Sequence, residues 1–388
     1  MELIEAGNNR VVRSWASLLD GNTREQAKLT ARSEVVAGPV ALMPDAHLGR
    51  GATVGSVVLT HNAIIPAAVG VDLGCGMIAV QLDVEGGEVQ ADALKRILGR
   101  WRETIPSGVG QGLTKTSEDW SVFLRKYPFS EGVERLNLQK RAAEQFGTLG
   151  SGNHFAELSL DEEDAVWLVV HSGSRGVGNV LATQHIKKAL ELCRKAGVQL
   201  EDPDLAFFRE GTEAFDAYRA DVEWAQTYAY HQREAMMDRM VEAVELETGP
   251  RQRLSKINCH HNYMMPWGVG YWLIRKGAID AALAKGGIIP GSMGAATYIV
   301  GGKANPLSYM SAPHGAGRLL ARGVARRTLK VEDLRLAMEG KTWDDWIAEQ
   351  LLDEAPAAYK PIEVVMKDAE DLVDPLYKLT QLVNYKGL

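Results

Sequence analysis

The feature that most constrains the fold is a set of short polar segments, four of the five containing glycine, that carry a thiol, a carboxylate and imidazoles. Five of the nine histidines in the 388-residue sequence lie in these segments. The segments span residues 71–76, 150–155, 171–176, 258–262 and 313–318. Glycine lets main chain approach an ion or a phosphate without an intervening Cβ. If the segments meet at one site, the chain cannot be divided into independent domains between Asp72 and His314.

Hydrophobic patterning indicates that strands and helices are interleaved. Short apolar runs within 35–84 predict strands, and the unbroken run 165–170 predicts a buried strand with His171 at its end. Apolar spacing predicts a long helix over 213–246. Shorter helices are predicted over 91–101, 136–146, 180–196, 318–326 and 333–338. We therefore expect a single α+β domain over 1–388, with mixed and antiparallel sheets flanked by helices and a helical insertion at 200–250.

Composition excludes several classes of protein. The chain has no apolar run of about 20 residues, as a membrane helix requires, and no apolar run of signal length at its start. Three cysteines give no disulfide framework. A net charge of −7 argues against a protein that coats nucleic acid nonspecifically, although a local basic groove remains compatible with it. We expect a cytoplasmic protein that is not bound to a membrane.

Five side chains form a candidate metal centre. Asp72 and Cys75 are three residues apart on one turn, and His154, His171 and His261 supply imidazoles. Each could be structural when taken alone, but together they provide enough ligands for two ions, with a thiolate or carboxylate as a bridge. Sulfur and imidazole ligands favour zinc, whereas open octahedral positions and phosphate substrates favour manganese.

A second group of residues is suited to phosphate. His314 precedes a glycine pair, and Arg318, Arg322 and Arg326 then recur every four residues, which on one helix would form a stripe. Arg175 follows His171 by four residues and offers bidentate phosphate contacts. The stripe could equally be a solvated helix face.

Taken together and in order, these motifs resemble the RtcB-type RNA ligases. The motifs are Asp-Leu-Gly-Cys-Gly from residue 72, Gly-Ser-Gly-Asn-His-Phe from 150, His-Ser-Gly-Ser-Arg-Gly from 171, His-Asn-Tyr from 261, Pro-Gly-Ser-Met-Gly from 290 and His-Gly-Ala-Gly-Arg from 314. Members of this family join an RNA 3′-phosphate or 2′,3′-cyclic phosphate end to a 5′-hydroxyl end, in tRNA splicing or RNA repair.

The resemblance implies GTP, two Mn²⁺ ions and a covalent GMP–histidine intermediate at His314. It implies Asp72, Cys75, His154, His171 and His261 as metal ligands, with Cys75 bridging. The implied guanylate contacts are Asn153, His154, Phe155, Ala156, Glu157, His261, Asn262, Pro290, Gly291, Ser292, Met293, Thr297, His314, Gly315, Ala316, Gly317 and Lys386. Arg175, Arg318 and Arg322 are expected at the RNA phosphate. Our hypothesis is that Glu157 selects guanine by accepting hydrogen bonds from N1–H and the exocyclic amine.

Two departures from the family pattern are visible. The stretch between His154 and His171 is compact, and residues 381–385 replace the usual proline- and valine-containing approach to Lys386. Both are similar to a shorter branch that is coupled to a release-factor-like protein. An archease-like activating partner is also compatible with the resemblance.

Two other functions use the same residues. A binuclear metal-dependent phosphatase or phosphodiesterase would need the metal ligands but not His314 as a nucleophile. A non-enzymatic scaffold with a structural metal is disfavoured, because structural zinc sites use closely spaced ligand pairs and these ligands spread from Asp72 to His261.

Overall fold

The computed structural model describes residues 1–387. The strands are β1 Glu2–Gly7, β2 Arg10–Ser14, β3 Val40–His47, β4 Val54–His61, β5 Ala63–Ile64, β6 Gly76–Glu85, β7 Phe155–Leu160, β8 Ala165–Ser172, β9 Phe208–Arg209, β10 Arg253–His260, β11 Asn262–Gly268, β12 Tyr271–Lys276, β13 Ala278–Asp280, β14 Gly286–Pro290, β15 Thr297–Gly302, β16 Ser311–Pro313, β17 Thr342–Trp343 and β18 Val373–Lys386. The helices are α1 Gly21–Arg32, α2 Pro66–Val69, α3 Ala91–Thr104, α4 Glu118–Lys126, α5 Glu131–Arg135, α6 Gln139–Gln145, α7 Arg175–Lys195, α8 Glu213–Thr248, α9 Arg322–Thr328, α10 Val331–Ala337 and α11 Ile362–Asp368.

Two larger sheets organise these elements. One has six strands in the order β1-β2-β3-β4-β12-β11, and the other has eight, in the order β10-β6-β8-β7-β18-β15-β14 with β17 beside β18. The pairs β2–β3 and β17–β18 are parallel, while the other neighbours in these two sheets are antiparallel. The predicted α+β class with mixed sheets and flanking helices is confirmed.

The unbroken apolar run of β8 is explained by burial on both faces. Leu168 and Val170 pack in a cluster that includes residues of α3 and α8, whereas Trp167 and Val169 pack with Ile288 on the opposite face. A strand covered on both sides has no solvent face and therefore needs no polar alternation.

Helix α8 contributes most of residues 200–250, the segment predicted as an insertion. It begins where the Thr212 hydroxyl accepts a hydrogen bond from the Phe215 amide (3.3 Å) and ends at Gly249, whose φ is +84°. Val222 packs in one hydrophobic cluster and Met240 in another. The helix thus spans two parts of the core. No helix within residues 1–387 combines the length and apolar character needed to cross a bilayer.

Two helix predictions were wrong in extent. The helix predicted over 318–326 is only α9, because residues 319 and 320 donate their amides to the Ala358 carbonyl and Arg318 forms a bridge with Tyr359. Arg318 therefore lies outside the helix, and the predicted arginine stripe does not exist as one helical face. The helix predicted over 136–146 is shortened to α6, because Asn137 has a φ of +54° and separates it from α5.

Candidate metal and nucleotide site

Four predicted ligands lie at one end of four adjacent strands. Cys75 directly precedes β6, His154 precedes β7, His171 is near the end of β8, and His261 follows β10. The sheet order β10-β6-β8-β7 is antiparallel, so starts and ends alternate and these four positions share one edge. Gly76 permits the close approach of β10, since a Cβ there would lie 2.1 Å from the Cys259 carbonyl oxygen.

The ligand atoms form two triads that share Cys75. One contains Asp72, Cys75 and His154, and the other contains Cys75, His171 and His261, with the ligand atoms of each triad within 4.8 Å of one another. Cys75 Sγ lies 3.5 Å from His154 Nε2 and 3.3 Å from His171 Nε2. The arrangement can accommodate two ions with the sulfur between them.

The hydrogen bonds of the imidazoles favour a cation at this place. His154 and His171 donate Nδ1–H to the carbonyl oxygens of Leu149 (3.0 Å) and Asn153 (3.1 Å), and His261 Nδ1 faces the amide oxygen of the next residue (3.3 Å). In neutral rings Nε2 is then the lone-pair nitrogen, as in metal-bound histidines. Two such nitrogens, of His171 and His261, are 2.9 Å apart. Lone pairs this close repel unless a proton or an ion lies between them.

Burial disfavours the charged forms of Cys75, His171 and His261 unless a group of opposite charge lies beside them. It raises the pKa of the Cys75 thiol well above its usual value, and the Asp72 carboxylate adds to the rise, while Arg233 opposes it. Burial also lowers the pKa values of His171 and His261 well below the usual range. Neutral imidazoles are the metal-binding form, and a thiolate would need the charge of an ion.

His314 lies beside the candidate metal ligands, and a carboxylate orients its ring. Its ring centroid is 4.5 Å from that of His261. Asp45 Oδ2 accepts hydrogen bonds from His314 Nδ1 (2.5 Å) and from its backbone amide (3.2 Å). Nε2 is therefore the free nitrogen of a ring that lines a cavity. Sequence reasoning missed the pairing of Asp45 with His314, because the two residues are far apart in the chain.

The end of β3 that carries Asp45 is held from several sides. Lys360 Nζ donates to the carbonyl oxygens of Pro44 (2.9 Å) and Ala46 (2.8 Å). Gly317 has a φ of +73°, and a Cβ there would lie 2.1 Å from the Asp45 carbonyl oxygen. Gly317, three residues after His314, is thus required by close packing against Asp45 of β3.

A cavity of about 330 Å³ joins these residues to most of the predicted guanylate contacts. Those on its wall are Asn153, Phe155, Glu157, His261, Asn262, Pro290, Gly291, Ser292, Met293, His314, Gly315, Ala316, Gly317 and Lys386, together with Asp72, Cys75 and His171 of the metal group. His154 and Thr297 are not among the residues that line this cavity. Ala156 is not brought into the cavity, because its side chain faces the cluster formed with α3 and α8.

Glu157 is a buried residue on the cavity wall. Its carboxyl accepts hydrogen bonds from Asn384 Nδ2 (2.9 Å) and Thr297 Oγ1 (3.3 Å). Burial raises its pKa to about 8, although Lys386 and the two hydrogen bonds act in the opposite direction. The carboxyl is therefore mostly protonated at neutral pH, and a ligand that donates hydrogen bonds to it would favour its ionised form.

The three predicted phosphate-binding arginines differ in their surroundings. Arg318 and Arg322 line the cavity and pair with Glu354, which also accepts from Lys386 Nζ (2.6 Å). Sequence reasoning missed Glu354, since nothing in its local pattern marks it. Arg175 has a φ of +59° and donates to Thr148 Oγ1 (3.1 Å).

The Arg175 guanidinium also lies next to the ligand turn. A Cβ at Gly150 would come within 2.1 Å of its Nη1 and 2.5 Å of His154 Nδ1. The left-handed backbone conformation of Arg175 is strained, and such strain is common at functional sites, where a side chain is held in one orientation.

Comparison with known proteins gives one consistent family. A family model described as "tRNA-splicing ligase RtcB" matches residues 26–387. The chain is 38% identical to the RNA-splicing ligase RtcB of Escherichia coli K12, with 98% of each chain covered. It is also 27% identical to the tRNA-splicing ligase RtcB of Thermococcus kodakarensis, over 89% of this chain and 86% of that one.

Proposed function

This chain belongs to the RtcB family of RNA ligases, and we propose that it joins RNA 3′-phosphate or 2′,3′-cyclic phosphate ends to 5′-hydroxyl ends, using GTP and manganese. The observation that carries the proposal is the position of His314. An imidazole oriented by Asp45 shares one cavity with two triads of metal ligands and a buried carboxyl.

His314 is suited to the first covalent step. With Nδ1–H held by Asp45, the Nε2 lone pair attacks the α-phosphorus of GTP, and the bond to pyrophosphate breaks. An RNA 3′-phosphate oxygen then attacks the phosphorus on His314, which transfers GMP and frees the imidazole. Finally the 5′-hydroxyl oxygen attacks the activated RNA phosphorus, and GMP leaves.

The donor set fits the ions that the family implies. Cys75 would bridge, Asp72 and His154 would complete one site, and His171 and His261 the other. Asp72 Oδ1 is buried without a hydrogen-bond partner within residues 1–387, which is consistent with a ligand role. Bound divalent ions supply positive charge that stabilises the phosphates during transfer.

The other residues bind and orient the substrates. Glu157 accepts hydrogen bonds from the guanine edge, and Lys386, whose Nζ lies 5.6 Å from the Phe155 ring centroid, donates to the base. Arg175, Arg318 and Arg322 contact the RNA phosphates. Glu354 holds the cationic groups in place through ion pairs at 2.5 to 3.4 Å.

The competing proposal is a binuclear metal-dependent phosphatase or phosphodiesterase. It would use the same triads, but it gives no reason for a histidine held by a buried carboxylate beside them. Asp45 is fully buried and binds both the ring and the backbone amide of His314. The fixed orientation of this one imidazole favours covalent transfer.

An RNA-joining assay separates these functions. The protein is incubated with GTP, MnCl₂, one RNA bearing a 3′-phosphate and a second bearing a 5′-hydroxyl. We expect a joined product with the native protein and none with His314→Ala, whose fold is checked by circular dichroism. Removal of the 3′-phosphate without joining would instead establish the phosphatase.

A further inference from the structure

Four side chains on two paired strands line the cavity. In the β7–β18 ladder Phe155 pairs with Lys386 and Glu157 pairs with Asn384. Alternate residues point to opposite faces of a sheet, and all four line the cavity, while Ala156 and Tyr385 pack in the cluster behind it. The surface therefore carries an ammonium, an aromatic ring, a carboxyl and an amide.

The orientation of the Asn384 amide is fixed by its neighbours. Its Nδ2 lies 2.9 Å from Glu157 Oε1 and 3.4 Å from Gln381 Oε1, which are both acceptors. Gln381 is itself fixed, since it accepts from the Gly294 amide (2.9 Å) and donates to the Ser292 carbonyl (2.9 Å). The Asn384 oxygen must consequently point the other way.

That oxygen is left without a donor. Asn384 is 2% exposed, and its Oδ1 is buried with no hydrogen-bond partner within residues 1–387. Buried polar atoms are nearly always paired, so an unpaired acceptor on a cavity wall indicates a ligand that donates to it. The polar groups around it then restrict which ligand can do so.

We propose that Asn384 is a specificity-determining residue whose Oδ1 accepts a hydrogen bond from the exocyclic 2-amino group of guanine. The inference rests on the proposed use of GTP. The cavity offers a donor on Lys386, an acceptor on Glu157 and a further acceptor on Asn384. Guanine presents the complementary series of O6, N1–H and the 2-amino group.

Other purines complement this surface less well. Adenine has an amine in place of O6 and an unprotonated N1, so it mismatches both Lys386 and Glu157. Hypoxanthine keeps O6 and N1–H but lacks the 2-amino group. Bound hypoxanthine would leave only Asn384 Oδ1 without a hydrogen bond. Because this acceptor is then buried and unpaired, the site should discriminate against hypoxanthine relative to guanine.

The alternative is a narrower role for Asn384, in which its Nδ2 only orients Glu157. This role predicts equal losses for every purine that uses Glu157. The comparison of GTP with ITP, whose base is hypoxanthine, separates the two roles, because the proposal assigns the 2-amino group to Asn384 and only N1–H, which both bases carry, to Glu157.

The experiment measures the rate of covalent adduct formation with α-labelled GTP and ITP in the presence of Mn²⁺. In the native protein we expect a preference for GTP of about tenfold or more, the effect of one hydrogen bond to a buried acceptor. In Asn384→Val we expect the GTP rate to fall further than the ITP rate, so that the preference approaches one. Retention of the native preference in Asn384→Val, or no preference in the native protein, would overturn the proposal.

Thr297→Val is the matched control. It removes the other hydrogen bond to Glu157 without touching Asn384, so both rates should fall together and the GTP-to-ITP ratio should stay at its native value. A ratio that fell as far as in Asn384→Val would overturn the assignment to the Asn384 oxygen. If neither nucleotide forms an adduct with the native protein, the proposed function fails, which is a different result.

Discussion

At the scale of single residues, reactivity depends on which nitrogen of each imidazole is free. Carbonyl oxygens hold Nδ1 of His154 and His171, and a carboxylate holds Nδ1 of His314. The first two rings thereby present neutral lone pairs to an ion. The third has a carboxylate partner, which in the proposed mechanism would stabilise the positive charge that develops as its Nε2 bonds to phosphorus.

Substitution of Asp45 tests this distinction. Asp45→Asn keeps an acceptor for His314 but removes the charge, so we expect adduct formation to slow by about 10²-fold or more with little change in GTP affinity. Single-turnover rates and nucleotide titrations measure the two quantities. Asp374→Asn, an exposed aspartate, is the control, and an unchanged rate in Asp45→Asn would contradict the account.

Glu157 gives a pH dependence with a definite sign. Its pKa is raised to about 8 in the nucleotide-free protein, and in the proposed complex its ionised form accepts the hydrogen bond from guanine N1–H. GTP binding below pH 8 should therefore release a proton, and affinity should rise with pH until about 8 and then level off. Calorimetry in buffers of different ionisation enthalpy measures the release.

Glu157→Gln is the control for this titration. It removes the ionisable group, so the pH-dependent part of GTP affinity that comes from this site should disappear. Identical pH profiles for the native protein and the variant would show that Glu157 is already ionised before GTP binds.

At the scale of elements, helix α8 holds the backbone beside two candidate metal ligands, Cys75 and His171. Arg233 is fully buried, and its Nη1 donates to the carbonyl oxygens of Gly74 and Ser172, both at 3.0 Å. These carbonyls adjoin Cys75 and His171. One guanidinium thus holds the backbone at two places, next to Cys75 before β6 and next to His171 in β8.

Arg233→Met should consequently weaken metal binding by about 10- to 100-fold, as is usual when groups that support the ligands are lost. Arg233→Lys should restore part of the affinity. Binding of Co²⁺, followed by its thiolate charge-transfer absorption, reports both affinity and contact with Cys75. Arg219→Met, an exposed change on the same helix, is the control, and native Co²⁺ binding in Arg233→Met would contradict this role.

The elements show what patterning alone can predict. The apolar runs predicted β8 and α8 because burial fixes the period of a strand or helix. The arginine stripe failed because Arg318 bonds to a distant segment near Tyr359, which no local pattern reveals. Glu354 was missed for the same reason.

At the scale of the whole molecule, the site is formed by segments that are far apart in sequence. Asp72 and His261 lie in separate parts of the chain, yet the Asn262 side chain donates to the Asp72 carbonyl oxygen (3.3 Å). The motifs predicted that these segments would meet, because together they carry the carboxylate, thiol and imidazoles of one metal centre. They could not predict Asn384, whose role depends on the pairing of β18 with β7.

Metal binding should therefore stabilise the entire fold. Ions that bind only the folded chain add about 2.7 kcal/mol to the free energy of unfolding at 100 times the dissociation constant. We expect Mn²⁺ to raise the Tm of the native protein and to have a smaller effect on Cys75→Ser, which lacks the shared ligand. Equal shifts for the two proteins would contradict the shared role of Cys75.

The most direct test of the account is to find the atom that carries GMP. The protein is incubated with α-labelled GTP and Mn²⁺, digested, and the labelled peptide is sequenced by mass spectrometry. The account predicts an acid-labile, alkali-stable adduct on His314 that is absent from His314→Ala. A label on another residue, or an undiminished label in His314→Ala, would contradict it.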